Sequence, residues 1–117
     1  MLGSQVAFQG NLGGDPDMKT LDDGTVIAHA SVAVGQRKKV GDKWETVSKT
    51  WYRDWVWGRE GEAFIEKARK GDKVVVVGRL AARDYEVDNE KRVSLDVNAD
   101  AVGIVPTVAK KADEPEW

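Results

Sequence analysis

The sequence predicts an all-β domain: a five-stranded Greek-key barrel with one short α-helix between its third and fourth strands. Three observations support this fold class. Short segments alternate apolar and polar residues with a period of two, as strands with one buried face do. Turn residues such as Gly13-Gly14 and Asp22-Asp23-Gly24 separate these segments. One segment, Glu60 to Lys70, instead carries Phe64, Ile65 and Ala68 on one helical face.

The first half of the chain is predicted to form two strands and a basic loop. Gln5 to Leu12 is strand one, and Met18 to Leu21 continues it after a bulge. A hairpin turn leads into strand two, Val26 to Val34. Gln36 to Glu45 is too charged and too broken by glycine for a strand interior, so it is predicted to be a loop, with Trp44 within it.

The second half is predicted to complete the barrel. Strand three runs from about Thr46 to Gly58 and precedes the helix, whose acidic residues come early and basic residues late, with Gly71 as its stop. Gly78 predicts a bend in the strand that follows. The remaining strand segments are Lys73 to Leu80, Ala82 to Val87, Arg92 to Val97 and Val102 to Val105.

Composition excludes several classes of site. The 117 residues fit one domain that buries roughly two thirds of its unfolded surface. With no cysteine and one histidine, the chain has no thiolate zinc site, disulfide or iron–sulfur cluster, and no metal or cofactor is expected. We expect no enzymatic activity, because no nucleophile has a base and no phosphate-loop motif occurs. Without a signal-like or membrane-spanning stretch, we expect a cytoplasmic protein that does not enter a membrane.

The stretch from Lys49 to Gly58 contains three of the five tryptophans, Trp51, Trp55 and Trp57, separated by four and two positions. In a strand, this spacing puts Trp51, Arg53, Trp55 and Trp57 on one face. That face is either the core of a small barrel or an exposed platform on which flat ligands stack. Arg53 favours the platform, because a buried guanidinium needs a partner, whereas Asp54 on the opposite face argues for the core reading.

Positive charge is concentrated around these tryptophans although the net charge is −2. Residues 35–59 contain seven basic and three acidic side chains, a local charge of +4. Local potential, more than net charge, attracts a polyanion. The segment therefore predicts phosphate contacts, and those expected from it are Arg37, Lys43, Lys49, Arg53 and Arg59. Trp44, in the basic loop, is predicted to fold back onto the domain or to meet a ligand, and counts as a stacking candidate.

The element order is that of the OB-fold, whose ligands are oligonucleotides and oligosaccharides. Within this order, residues 3–105 resemble the bacterial single-stranded DNA-binding protein family. The matching residues are Gly10-Asn11-Leu12-Gly13 with Asp15-Pro16, Gly24 to Val34, Trp51-Tyr52-Arg53 with Trp57-Gly58-Arg59, Lys70-Gly71-Asp72, Val77-Gly78-Arg79-Leu80, and Val93 to Val105.

The resemblance implies a homotetramer, or at least a dimer joined through first-strand edges, that binds single-stranded DNA without sequence preference in replication, recombination and repair. Trp51 and Trp57 match stacking positions, and Tyr85 stands where the family usually has a tryptophan. Trp55 shares their face without a family counterpart. Tyr52 occupies a position where the family often has a histidine at the subunit interface, and Ala81 occupies a position that is commonly basic in the family. The matching basic positions are Arg53, Arg59, Lys70 and Arg83.

The chain is predicted to divide into a binding domain, residues 1–105, and a short acidic tail, residues 106–117. The tail loosely resembles the acidic family tip that recruits replication and repair proteins. The residues expected to meet such partners are Asp113, Glu114, Pro115, Glu116 and Trp117. A rival function is an adaptor of the same fold that mainly contacts proteins. The aromatic residues gathered on one predicted surface favour the DNA binder.

Overall fold

The structure, a computed structural model, describes residues 3–106, which form six strands and one helix. In chain order these elements are β1 (Ser4–Leu12), β2 (Asp17–Thr20), β3 (Val26–Val40), β4 (Lys43–Trp57), α1 (Gly58–Lys67), β5 (Lys73–Val87) and β6 (Glu90–Val105). No helix within this range is long and apolar enough to cross a lipid bilayer.

Five of the strands close into a barrel in the order β1-β5-β6-β4-β3. The ring closes where Asn11 and Leu12 of β1 pair with Ala33 and Val32 of β3. The short β2 then pairs with the same edge of β3, so that it continues the track of β1 after a break, as the sequence predicts. The helix lies between the third and fourth barrel strands. The predicted five-stranded barrel with one helix is therefore confirmed.

The predicted basic loop is wrong: its residues belong to a long β-hairpin. β3 continues to Val40 and β4 begins at Lys43, with the intervening turn at Gly41 and Asp42. Lys39 pairs with Trp44, and the β3–β4 pairing continues from there into the barrel, with one register shift between Gln36 and Arg37. Every side chain from Gln36 to Lys49 is exposed, so neither face of this hairpin has to be apolar, and the alternation that signals a strand is missing.

β5 and β6 form a second long hairpin, which joins four predicted segments into two continuous strands. Asp88 and Asn89 make its turn with φ values of 52° and 67°, the left-handed conformation that two-residue hairpin turns use. The predicted irregularity at Gly78 is confirmed, since the β5–β6 register shifts between Val77 and Gly78. A Cβ atom at Gly78 would collide with the backbone of Asn98, so only glycine fits this close approach.

The barrel interior is filled by small and branched side chains. Val32, Val56, Val74, Val76 and Val97 are almost completely buried. α1 covers this core with Phe64, and Ala68 follows it. The helix ends at Lys67, three residues before its predicted end, because the Asp72 carboxylate accepts the Arg69 backbone N–H and turns the chain toward β5. These inward residues orient the alternate side chains of every barrel strand outward.

Candidate nucleic-acid interface

The outward residues of β4 form what we call the tryptophan face: Trp51, Arg53, Trp55 and Trp57. Trp51 and Trp57 are about half exposed, with 51% and 49% of their surface accessible, while Arg53 and Trp55 are partly buried. Between them along the strand, Asp54 and Val56 point into the core. Since a strand has a period of two, burial of one set holds the other set at the surface.

The Trp51 ring extends across the turn between β1 and β2. A Cβ atom at Gly13 would lie 2.7 and 2.9 Å from two carbons of its six-membered ring. Backbone at Gly13 is therefore in contact with the indole, and any larger residue would displace it. This contact supports one flank of the Trp51 ring while half of its surface remains accessible.

Trp57 is oriented by a hydrogen bond at the other end of the face. Its indole Nε1–H donates to Oδ1 of Asn98 on β6, at 3.3 Å. The ring stays half exposed with its polar atom paired. A base that stacks on Trp57 therefore does not need to satisfy the indole N–H. Asn98 was not singled out from the sequence, because only the pairing of β4 with β6 brings it to Trp57.

Arg53 and Trp55 are linked through His29, a residue that no sequence motif assigns to a site. His29 lies directly opposite Trp55 in the β3–β4 ladder, with ring centroids 4.5 Å apart. Arg53 Nε donates a hydrogen bond to His29 Nε2 at 3.3 Å, and its guanidinium carbon lies 5.6 Å from the Trp55 ring centroid.

This contact requires a neutral imidazole, because a protonated histidine has no acceptor nitrogen. Burial, and then the charge of Arg53, lower the pKa of His29 below its usual 6.5, against the opposing effect of Asp17 and Asp96. His29 is thus neutral at neutral pH. It orients the guanidinium and supports the Trp55 ring from the neighbouring strand. The register of β3 against β4 is the signal that would have revealed this role.

A second aromatic and basic pair lies on β5. Arg83 and Tyr85 both face outward, with the guanidinium carbon 5.8 Å from the Tyr85 ring centroid. Arg83 Nε forms an ion pair with Asp96 on β6 at 3.3 Å, and the Ser94 hydroxyl donates to the same carboxylate at 2.6 Å. Because β6 lies between β5 and β4, Asp96 stands between Arg83 and the tryptophan face. It is paired in register with Arg53.

Asp54 lies in the core directly behind this face. Its accessible fraction is 1%, its neighbours across the sheet are Ala30 and Val97, and neither carboxylate oxygen has a hydrogen-bond partner among the described residues. Burial raises the pKa of Asp54 to about 7. In the sequence, the Asp54 carboxylate was the argument against an exposed tryptophan face. In the structure Asp54 is nevertheless a core residue, and its burial lowers the stability of the fold.

The other predicted contacts are spread more widely. Trp44 lies near the end of the β3–β4 hairpin with 64% of its surface exposed, so it does not fold back onto the domain. Arg59 is exposed in the first turn of α1. Lys70 is exposed beside the β1–β2 turn, where its backbone N–H donates to Asp15. The predicted contacts of the hairpin strands are Arg37, Lys43 and Lys49. The five tail residues predicted to meet partners lie outside the described range.

A closed five-stranded barrel with an aromatic and basic outer face defines an OB-fold domain of the oligonucleotide-binding kind. Comparison with known proteins gives the family. Residues 4–105 match the Single-strand binding protein family, and the chain belongs to it.

Individual relatives agree with this assignment. The chain is 30% identical over 118 residues to a single-stranded DNA-binding protein of Treponema pallidum, and 31% identical over 101 residues to one of Paenarthrobacter aurescens. These alignments cover 97% and 84% of the chain, but only 66% and 59% of those relatives. The fold matches the crystal structure of a small single-stranded DNA-binding protein from Streptomyces coelicolor, with a TM-score of 0.81 and 24% identity, over 94% of this chain and 99% of that one.

Proposed function

We propose that this chain binds single-stranded DNA without reading its sequence and protects it during replication, recombination and repair. The observation that carries the proposal is the tryptophan face, where two half-exposed indoles flank a guanidinium on one strand. Bases stack on indoles with roughly 1–3 kcal/mol each whatever their identity. Residues 1–105 form the binding domain in this proposal. Its compartment is the cytoplasm, where bacteria such as those that carry the relatives replicate their DNA.

Stacking residues and phosphate contacts have separate tasks. We assign stacking to Trp51, Trp55 and Trp57, joined by Tyr85 on β5 and Trp44 on the hairpin. The cations around them neutralise phosphates. They lie on the hairpin, the tryptophan face, α1, the α1–β5 turn and β5, and they are Arg37, Lys43, Lys49, Arg53, Arg59, Lys70 and Arg83.

A salt titration tests this proposal. If about five of the seven basic residues in the segment 35–59 meet phosphates, these contacts alone should make the logarithm of the affinity for oligo-dT fall against the logarithm of the salt concentration with a slope near −3.5, about −0.7 for each contact with a single strand. Tryptophan fluorescence quenching reports the binding. Absence of quenching at low salt would contradict the proposal as a whole, and a slope near zero would remove the basic residues from it.

We also propose that the protein assembles as a homotetramer. The outer sheet face contains an apolar patch, in which the exposed Val75 and Val77 of β5 lie in register with Gly103 and Ala101 of β6, and Val77 also with Ala7 of β1. Within residues 3–106, the β1 edge from Ser4 to Gly10 has a strand partner only on its β5 side. An open edge and an apolar face are both surfaces that a second copy covers. Light scattering at micromolar concentration should give four times the chain mass, and a monomer would contradict the assembly.

The segment from Asp113 to Trp117 is proposed to recruit replication or repair proteins through its acidic residues and the aromatic ring of Trp117. Its proposed partners would be selected by charge and by one apolar anchor. This part of the proposal rests on the sequence alone, since these residues lie outside the described range.

A further inference from the structure

A cleft of about 790 Å³ opens between the end of β1 and the base of the β3–β4 hairpin. Its basic side chains come from three strands: Arg37 on β3, Lys49 on β4 and Lys73 on β5. Among residues 3–106, none of the residues that line the cleft is acidic or aromatic. None of these three cations forms an ion pair with another residue of the range 3–106. We call this site the basic cleft.

Strand register connects the basic cleft to the tryptophan face. Lys73 pairs with Asn11, Asn11 pairs with Ala33, and Ala33 pairs with Trp51. These four residues form one row across β5, β1, β3 and β4. Adjacent strands are about 4.8 Å apart, so the backbone positions of Lys73 and Trp51 are about 14 Å apart along the sheet. Lys49 lies two residues before Trp51 on β4 and opposite Gly35. It therefore places a positive charge between Trp51 and the rest of the cleft.

We propose that the basic cleft binds the phosphodiester backbone of the DNA strand as it leaves Trp51, with Lys73 as its farthest cation. The cleft is too large and its cations too widely distributed for a single inorganic phosphate, whereas a chain polyanion presents charges at intervals. Because none of its lining residues in the described range is aromatic, these residues offer bases nothing to stack on, so bases there point to solvent and no sequence is read. This inference rests on the proposed DNA binding and adds a path for the strand around the barrel.

Oligonucleotide length provides the test. An oligo-dT of about 5 nucleotides can occupy the tryptophan face alone, and one of about 16 nucleotides reaches beyond it; these lengths lie near the two ends of the usual site-size range. Lys73→Gln should leave the affinity for the short oligonucleotide unchanged. For the long one it should make the salt slope shallower by about 0.7 and lower the affinity about fivefold at 0.1 M salt, since one phosphate contact is lost. Lys73→Arg should retain the binding of the long oligonucleotide.

Lys67→Gln is the matched control, because it removes the same charge from the last turn of α1, outside the cleft. It should bind both lengths like the unmodified protein. The triple variant R37Q/K49Q/K73Q should make the salt slope for the long oligonucleotide shallower by about 2, since three contacts of about 0.7 each are lost. Thermal melting and light scattering of every variant show whether fold and assembly are retained.

Three results would overturn the inference. Lys73→Gln could bind the long oligonucleotide like the unmodified protein. It could also lower the affinity for both oligonucleotide lengths equally, which would show a general charge effect. It could also change the mass of the assembly without changing DNA affinity, which would assign the cleft to a second copy of the chain. If the unmodified protein binds neither oligonucleotide, the proposed function itself fails, which is a different result from failure of the cleft alone.

Discussion

The two faces of β4 make opposite contributions to the protein. The outward residues Trp51 and Trp57 leave half of their large aromatic surface in water, which gains little stability and leaves the rings available for a ligand. The inward residues Asp54 and Val56 are buried, yet one of them is a carboxylate without a partner. Binding and stability are thus separated residue by residue along one strand. Substitutions on the two faces should have different signatures.

The largest expected effect comes from the inner face. The pKa of Asp54 is raised from 3.8 to about 7 in the folded protein, so the folded state holds a proton that the unfolded state releases between these values. Stability from this group is complete below pH 3.8 and is lost as the pH rises to about 7. The loss is up to about 4 kcal/mol, from about 1.4 kcal/mol for each pKa unit.

The variant Asp54→Asn tests this effect, since it removes the charge and nearly keeps the shape. Its free energy of unfolding relative to the unmodified protein, measured by denaturant titration, should rise between pH 4 and pH 8 and then stay level. DNA affinity should not change, because the side chain is hidden behind the tryptophan face. A stability difference that is the same at every pH would show that the buried carboxylate carries no such penalty.

The next effect belongs to the outer face. Trp51→Ala and Trp57→Ala should each lose about 1–3 kcal/mol of affinity for oligo-dT and part of the fluorescence quenching, with little change in melting temperature. Trp55→Ala should lower both affinity and stability, because Trp55 is partly buried against His29.

Val56→Ala is the matched control from the inner face. It should cost on the order of 2 kcal/mol of stability and leave the affinity of the folded protein intact. The proposed division between a binding face and a stabilising face would be contradicted if the tryptophan variants unfold easily and, where folded, bind oligo-dT normally. The tryptophans would then be structural, and β4 would not be the DNA-binding strand.

A smaller effect, of opposite sign, is expected beside the face. Asp96 holds Arg83 in an ion pair at 3.3 Å, so a phosphate must compete with this carboxylate for the guanidinium. Asp96→Asn should therefore strengthen the phosphate contact of Arg83, raising the affinity for oligo-dT by up to about fivefold at 0.1 M salt and making the salt slope steeper by up to about 0.7, the value of one full contact. Glu62→Gln, on the exposed side of α1, makes the same change of charge as a control. Equal effects of both substitutions would assign the gain to net charge alone.

Much of the barrel was predictable because a strand with one buried face usually leaves a period-two pattern of apolar and polar residues in the chain. The segments Gln5 to Leu12 and Val26 to Val34 carry this pattern, and both are strands. The hairpin from Gln36 to Glu45 carries none, because its two faces are solvated and its strands are held by backbone pairing. The sequence resembles a loop there, although the chain is extended and paired.

The sequence by itself determined which residues of β4 share a face, since alternation is a local property of an extended chain: Trp51, Arg53, Trp55 and Trp57 could not be separated once the segment was a strand. Only the tertiary structure decided which of the two faces is outside and what surrounds it. His29, Asn98 and Asp96 reach this face from β3 and β6 through strand pairings that join residues 26 to 43 positions apart. Such register depends on the packing of the whole barrel, and no local pattern around His29 or Asn98 encodes it.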